Sequence, residues 1–147
     1  MKDLYSKITP VAAIAPVNVL NATVPTTLEI DLKGNNSAAV IISHGAKDGG
    51  DTGTIVFTMT HADDDGTGVA GSYAAVAAAD VLGVTPTTEG VILTLAGGEV
   101  AAAIQKYGYV GGKRFIKIAI TEADDNTTGT ICDIIVLKGD PENAPAA

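Results

Sequence analysis

The segment from residue 104 to residue 120 constrains the fold more than any other part of the chain. Its residues alternate between two faces on both sides of the pair Gly111-Gly112, and beyond that pair Ile116, Ile118 and Ile120 share one face. Two glycines permit the positive φ angles of a tight turn, and the β-branched and aromatic neighbours suit a pleated, half-buried surface. The sequence therefore predicts a β-hairpin here.

Short alternating segments of the same kind recur along the chain between turn-forming residues. Turn signals every 8–12 residues between such segments are typical of a β-sandwich or barrel. A chain of 147 residues fits one hydrophobic core. We therefore expect an all-β fold, a single-domain β-sandwich or jelly-roll-like structure of about eight or nine short strands. Besides the hairpin, the strands are predicted at residues 27–32, 38–43, 54–60, 91–95 and 130–138.

Two of these segments carry apolar residues on both faces. Residues 38–43 include Ala39, Val40, Ile41 and Ile42 in succession, a run that suits a strand covered on both faces and therefore central in its sheet. Residues 130–138 show the same two-sided apolar character.

The segments between these strands are harder to assign. The glycine- and lysine-containing loop at residues 45–53 is expected to be exposed and mobile. Residues 73–83 contain many alanines, and we expect a short strand followed by one helical turn that Gly83 closes.

The chain divides into an extended N-terminal arm or edge strand at 1–25, a β-sandwich domain at 26–139, and a C-terminal tail at 140–147. Three prolines make the first segment a poor central strand, yet its apolar residues need burial. An arm laid on another molecule satisfies both facts, and an edge strand of the chain's own sheet satisfies them almost as well. We favour the arm, with Val11, Ile14, Val17 and Val19 as its partner-binding residues.

Charge and composition weigh against two classes of partner. The chain carries 17 acidic and 9 basic residues, a net charge of −8, whereas proteins that bind nucleic acid need basic groups to neutralise phosphates. No run of about 18 apolar residues is present, so we expect no membrane span. Cys132 is the single cysteine, which excludes an internal disulfide.

Few residues suggest catalysis or metal binding. The three aspartates of the acidic turn at residues 63–65 suggest a calcium site, but their spacing does not match an EF-hand, and a solvated turn explains them better. His44, His61 and Cys132 lack the spacing of a structural zinc site. There is no nucleophile elbow and no phosphate-binding loop. We therefore expect no enzymatic activity, no cofactor and no metal.

Basic residues concentrate around the predicted hairpin. Lys113 and Arg114, with Lys106 and Lys117 nearby, form a local patch on an acidic chain. Such a patch can bind an acidic partner surface, or its lysines can guard the edge of a sheet against pairing. We take Lys113 and Arg114 as candidate partner-binding residues.

Several sequence motifs occur in the order found in one family of phage proteins. Residues 108–117 read GYVGGKRFIK, residues 37–40 read SAAV, residues 76–83 read VAAADVLG, and the chain ends with GDPENAPAA from residue 139. Their order and spacing resemble a family of small structural proteins from the head-gene clusters of tailed phages and prophages. The loop at residues 63–72 is longer than the family's pattern, which leaves room for a different partner surface there.

This resemblance implies a virion component and carries over no catalytic residue. It implies a capsid decoration or cement protein on the outside of a phage head, which binds the major capsid protein and forms a homo-oligomer, with a trimer favoured. Two alternatives stay open: a phage tail or head-completion protein, and a carbohydrate-binding module. The latter needs exposed aromatic platforms, for which Tyr5, Tyr73, Tyr107 and Tyr109 are available.

Overall fold

The computed structural model describes residues 4–20, 25–123 and 126–142. In these residues the chain folds into two antiparallel sheets of five strands each. Strands make up 57% of the chain and helix 2%, so the prediction of an all-β, single-domain β-sandwich is confirmed. These described residues form ten strands, because residues 73–83 supply two very short strands instead of one strand and a helical turn.

The order of elements is simple and contains one short 3₁₀ turn, Tyr5–Lys7, before the first strand. The strands follow as β1 Ile8–Val19, β2 Glu29–Asp31, β3 Asn35–His44, β4 Thr54–Ala62, β5 Ala74–Ala75, β6 Val81–Leu82, β7 Val91–Leu95, β8 Ala103–Tyr109, β9 Phe115–Ala123 and β10 Thr130–Pro141.

The first sheet has the strand order β1-β10-β3-β8-β6, and the second has the order β2-β9-β4-β5, with β7 also paired to β4. The long strands β10 and β3 lie at the centre of the first sheet. The apolar run at residues 38–43 was predicted to be central, and its position in β3 agrees with that prediction.

The core lies between the inner faces of the two sheets and is mostly aliphatic. Alternate residues of each long strand point inward, as the period of two predicts. Phe57 on β4 is the largest apolar side chain that is completely buried. The other inward residues include Ile55, Met59, Ile116, Ile118, Ile120, Val40, Ile42, Ile134 and Val136.

The predicted hairpin at residues 104–120 is wrong, although both of its strands exist. β8 pairs with β3 and β6 in the first sheet, whereas β9 pairs with β2 and β4 in the second. The glycine pair therefore crosses from one sheet to the other, and neither glycine has a positive φ. A Cβ atom at Gly111 would lie 2.7 Å from the ring of Tyr109, so close packing explains this glycine. Alternation predicts strands equally well in both arrangements, because both strands line the same core.

The N-terminal segment is an edge strand of the chain's own sheet, and the intermolecular arm that we favoured is incorrect for its described residues. β1 pairs with β10 from Ile8 to Val19, and Ile14 and Val19 are buried in the core. The register shifts twice, between Ala12 and Ile14 and between Ile14 and Val17. These irregularities accommodate Pro16 at the edge of the sheet, where a missing backbone donor is tolerated. Residues 1–3 and 21–24 of the segment lie outside the described residues.

Two other expectations also need correction. The loop at residues 45–53 is not uniformly exposed, because Lys47 and Asp51 are each only 1% exposed. The predicted tail at 140–147 begins too early, because β10 continues through Pro141. Residues 143–147 of that tail lie outside the described residues.

Candidate functional site

The outer face of the first sheet is largely apolar along its long strands. Ile135 of β10 lies between Ala12 of β1 and Ile41 of β3, and one row away Leu137 lies between Pro10 and Ala39. We call this surface the apolar face. Its outward positions are Ile8, Pro10, Ala12, Asn18, Ser37, Ala39, Ile41, Ser43, Leu82, Ile104, Lys106, Gly108, Ile131, Asp133, Ile135, Leu137 and Gly139.

Several large side chains on the apolar face are strongly exposed. Ile104 is 73% exposed, Ile131 and Leu82 are each 59% exposed, and Ile135 is 37% exposed. Single exposed apolar residues are ordinary on protein surfaces, but a contiguous set across neighbouring strands marks an interaction site.

The outer face of the second sheet has a different chemistry. Along β4 the outward residues include Thr54, Thr58 and Thr60, and the last of these lies opposite Lys117 on β9. Lys117 in turn lies opposite Glu29 on β2. One outer face of the sandwich is therefore hydroxyl-rich and charged, and the other is apolar.

The sequences of β3 and β10 contain a pattern that relates to the apolar face. Both β3 and β10 were predicted to have apolar residues on their two faces, as strands covered on both sides do. The structure covers their inner faces with the second sheet and leaves their outer faces uncovered by any described residue. In the sequence this pattern predicts central strands but no binding site.

Two opposite charges lie within the apolar face. Lys106 on β8 lies opposite Ile41, and Asp133 on β10 lies opposite Ser43. They occupy strands on either side of β3 and adjacent rows of the sheet. Among the described outward positions they are the only charged residues, so the net formal charge of the face is zero.

The N-terminal candidates for partner binding face the core instead. Ile14 and Val19 are 4% and 0% exposed, and Val11 and Val17 pack against the core from partly buried positions. Their need for burial is satisfied within the chain, because β1 completes the first sheet. The residues of β1 that reach the apolar face include their neighbours Ile8, Pro10, Ala12 and Asn18.

The basic candidates Lys113 and Arg114 are paired within the chain. The guanidinium of Arg114 donates to both carboxylate oxygens of Asp31, at 2.9 and 2.7 Å, and it also pairs with Asp64. Lys113 pairs with Asp63. The bond from Arg114 lowers the pKa of Asp31 below its usual value, and burial opposes this shift only partly. These ion pairs hold the segment between the two sheets against β2 and against the acidic turn at residues 63–65.

The acidic turn at residues 63–65 binds its own backbone. Asp64 accepts hydrogen bonds from the amides of Gly66 at 2.7 Å and Gly68 at 3.0 Å, which lower the pKa of its carboxyl. Asp65 accepts from the amide and hydroxyl of Thr67, at 2.8 and 2.7 Å. These are the Asx-type contacts of a turn, and the carboxylates are used by the protein itself.

The residues considered for a zinc site are brought only partly together. Cys132 and His44 are direct neighbours across β10 and β3, whereas His61 lies on the other sheet and its Nδ1 is 3.0 Å from the hydroxyl of Tyr109. Burial raises the pKa of the Cys132 thiol to about 12, so at neutral pH it is a protonated core residue. No group of three metal-binding side chains occurs within the described residues.

The four tyrosines do not form a common platform for a carbohydrate. Tyr107 and Tyr109 are core residues, at 5% and 3% exposure. The hydroxyl of Tyr73 donates to Glu29 at 2.5 Å, and the ammonium of Lys117 lies 5.5 Å from the centre of its ring. Tyr5 is 91% exposed but stands on the 3₁₀ turn before β1.

A groove of about 490 Å³ lies beside the inter-sheet glycines. Its lining includes Leu32 and Tyr109 together with charges of both signs, Lys33, Lys113 and Glu142. This mixture of apolar, basic and acidic lining residues selects no single class of ligand, and Lys113 is already paired with Asp63.

A second charged cluster holds the loop at residues 45–53. The ammonium of Lys47 donates to the backbone carbonyl of Asp51 and lies 3.5 Å from that of Gly98. The carboxylate of Asp51 accepts from the amides of Thr128 and Gly129, at 3.1 and 3.0 Å. These bonds lower the pKa of Asp51, chiefly through Thr128. Sequence alone did not indicate this cluster, because its partners are distant along the chain.

A scan against protein-family models and a search of curated proteins each give no match to the chain. Within the described residues, no helix has the length and apolar character to cross a membrane.

Proposed function

We propose that the protein is a non-enzymatic structural component of a phage virion, a decoration or cement protein on the capsid surface with the major capsid protein as its partner. The apolar face carries this proposal. A sandwich whose central strands are apolar on both sides, but covered on one side only by the residues that the structure describes, has the surface of a subunit that works in an assembly. The motif resemblance supplies the phage head as the setting.

The rest of the structure is compatible with a subunit that serves as a rigid building block. Charged groups hold two connecting segments in place. Arg114 pairs with Asp31 and Asp64 beside the glycines that join the two sheets, and Lys47 bonds to Asp51 in the loop before β4. Fixed loops reduce the conformational entropy that is lost when a surface docks. Capsid lattices also repeat the same contact many times, so each contact can be weak.

The test is incorporation into particles. A phage whose genome encodes this chain should be purified and its particles examined by cryo-electron microscopy and quantitative mass spectrometry, with the expected result of many copies on the head. Ile135→Glu places a charge in the centre of the apolar face and should reduce incorporation strongly. Thr58→Glu, on the outer face of the second sheet, is the matched control and should incorporate normally.

Two results would overturn the proposal. One is purified particles without the protein, or with copies confined to the tail or to one vertex. The other is normal incorporation of the Ile135→Glu variant, because the apolar face would then not be an assembly surface.

A further inference from the structure

We propose that the apolar face binds the same face of a second copy of this chain, in a dimer with two-fold symmetry. The inference rests on the proposed function, in that it takes the face to be an assembly contact, and it names the occupant. The capsid contacts of such a dimer would then lie on other surfaces. A dimer of this kind replaces the trimer that the motif resemblance implied.

The positions of Lys106 and Asp133 make the face complementary to itself. The midpoint between them lies on β3, between Ile41 and Ser43. A two-fold axis in the plane of the interface, through this midpoint and perpendicular to the line between the charges, sets each Lys106 over the Asp133 of the other copy. One symmetry operation therefore forms two ion pairs, as an isologous contact requires.

The same axis brings one pair of apolar residues of the two copies together and sets another isoleucine over a serine. With strands about 4.8 Å apart and alternate residues about 6.8 Å apart, Ile41 of one copy falls within about 3 Å, in projection, of Ile135 of the other. Ile104 falls similarly over Ser43. The strands of the two sheets cross at roughly 70°, closer to the orthogonal than to the aligned class of sheet packing.

Charge also favours a second copy over a strongly charged partner. The chain carries a net charge of −8, whereas the apolar face carries one positive and one negative residue. Two copies repel each other least when these neutral faces meet. A basic partner surface would select an acidic patch, and this face does not present one.

The area of the face sets the expected affinity. The outward positions at ~33 Å² each span ~500–600 Å² of sheet per copy, and because the sheets cross at roughly 70° only part of this area overlaps, so the pair buries less than the ~1,000 Å² of a specific, stable interface. The dimer should therefore be weak in dilute solution and populated at high concentration, as it would be in a crowded surface array.

Charge exchange tests the proposal on the full chain. Sedimentation equilibrium should show reversible dimers in the parent protein as concentration rises. Lys106→Asp and Asp133→Lys should each weaken dimerisation at least about tenfold, because each places like charges opposite one another. The double variant should dimerise like the parent, and an equimolar mixture of the two single variants should form mixed dimers. Circular dichroism checks that every variant is folded.

A parent protein that stays monomeric throughout the concentration range would overturn the inference, as would a double variant or mixture that is no better than the single variants. Failure here is distinguishable from failure of the proposed function. If the parent is monomeric but Ile135→Glu still prevents incorporation into particles, the face contacts the capsid instead. If dimers form but particles lack the protein, the two-fold contact stands and the virion role falls.

Discussion

Replacement of Lys47 by methionine tests how the loop before β4 is held. Lys47 is 1% exposed, and its ammonium donates to the carbonyl of Asp51. Methionine fills a similar volume and leaves the backbone bridge to Val100 intact, so the substitution isolates the ammonium. The carbonyl of Asp51 also accepts from the amide of Gly98 at 2.8 Å and is therefore not left without a donor.

The expected loss follows from one strong bond. A hydrogen bond that involves a charged group contributes about 1.5–3 kcal/mol, and the 3.5 Å contact with the carbonyl of Gly98 adds little at that distance. Lys47→Met should therefore lower the free energy of unfolding by about 1.5–3 kcal/mol, and the melting temperature by roughly 4–10 °C. Lys47→Ala also removes buried methylene groups worth about 0.8 kcal/mol each, so its loss should exceed that of Lys47→Met by ~2 kcal/mol.

Urea unfolding followed by far-ultraviolet circular dichroism measures these differences. Lys33→Met is the matched control, because Lys33 is exposed and its replacement should change stability by less than about 0.5 kcal/mol. A Lys47→Met variant that is as stable as the parent, or more stable, would refute the reasoning. The desolvation of a buried ammonium would then outweigh its hydrogen bonds, as happens in some buried ion pairs.

Three further predictions concern the ion pair between Asp31 and Arg114, the glycine pair that joins the two sheets, and strand β1. Asp31→Asn should destabilise the protein at pH 7, because it weakens the bonds from Arg114. The pKa of Asp31 is lowered in the folded state, so the stability that its carboxylate contributes is lost in acid. The urea midpoints of the parent and the variant should therefore converge as the pH falls below about 4. Gly111→Ala should cost about 1–3 kcal/mol, since its Cβ would meet a buried tyrosine ring, whereas Gly112→Ala, with open space around it, should be nearly neutral; equal effects in thermal melts would contradict the packing argument. Deletion of residues 1–16 should collapse the melting temperature, and a truncated chain that melts like the parent would show that β1 is dispensable.

Much of the strand content could be predicted from the sequence because alternation is visible within each segment. Residues 91–95 were predicted as a strand with the bounds that β7 has, and residues 54–60 lie within β4. The inward residues Ile116, Ile118 and Ile120 were also assigned to one face correctly. A period of two is a property of each strand by itself, so no knowledge of its neighbours is needed.

The candidate site was only partly accessible in this way. Apolar residues on both faces of residues 38–43 and 130–138 were recognised, but the pattern predicts a strand covered on both sides whatever covers it. Val11, Ile14, Val17 and Val19 were assigned to partner binding because their need for burial was evident, whereas the strand that satisfies it, β10, lies more than a hundred residues away in the chain.

The sequence was sufficient to predict the class of fold, an aliphatic sandwich of short strands, and the inner face of strands that alternate cleanly, such as β4 and β9. Three features depend on the tertiary structure: Gly111-Gly112 joins two sheets instead of two paired strands, Lys47 and Arg114 hold connections in place, and no described residue covers the outer side of β3 and β10. Strand formation depends on local alternation, but pairing, burial and charge compensation depend on which distant residues become neighbours, and those contacts exist only in the folded chain.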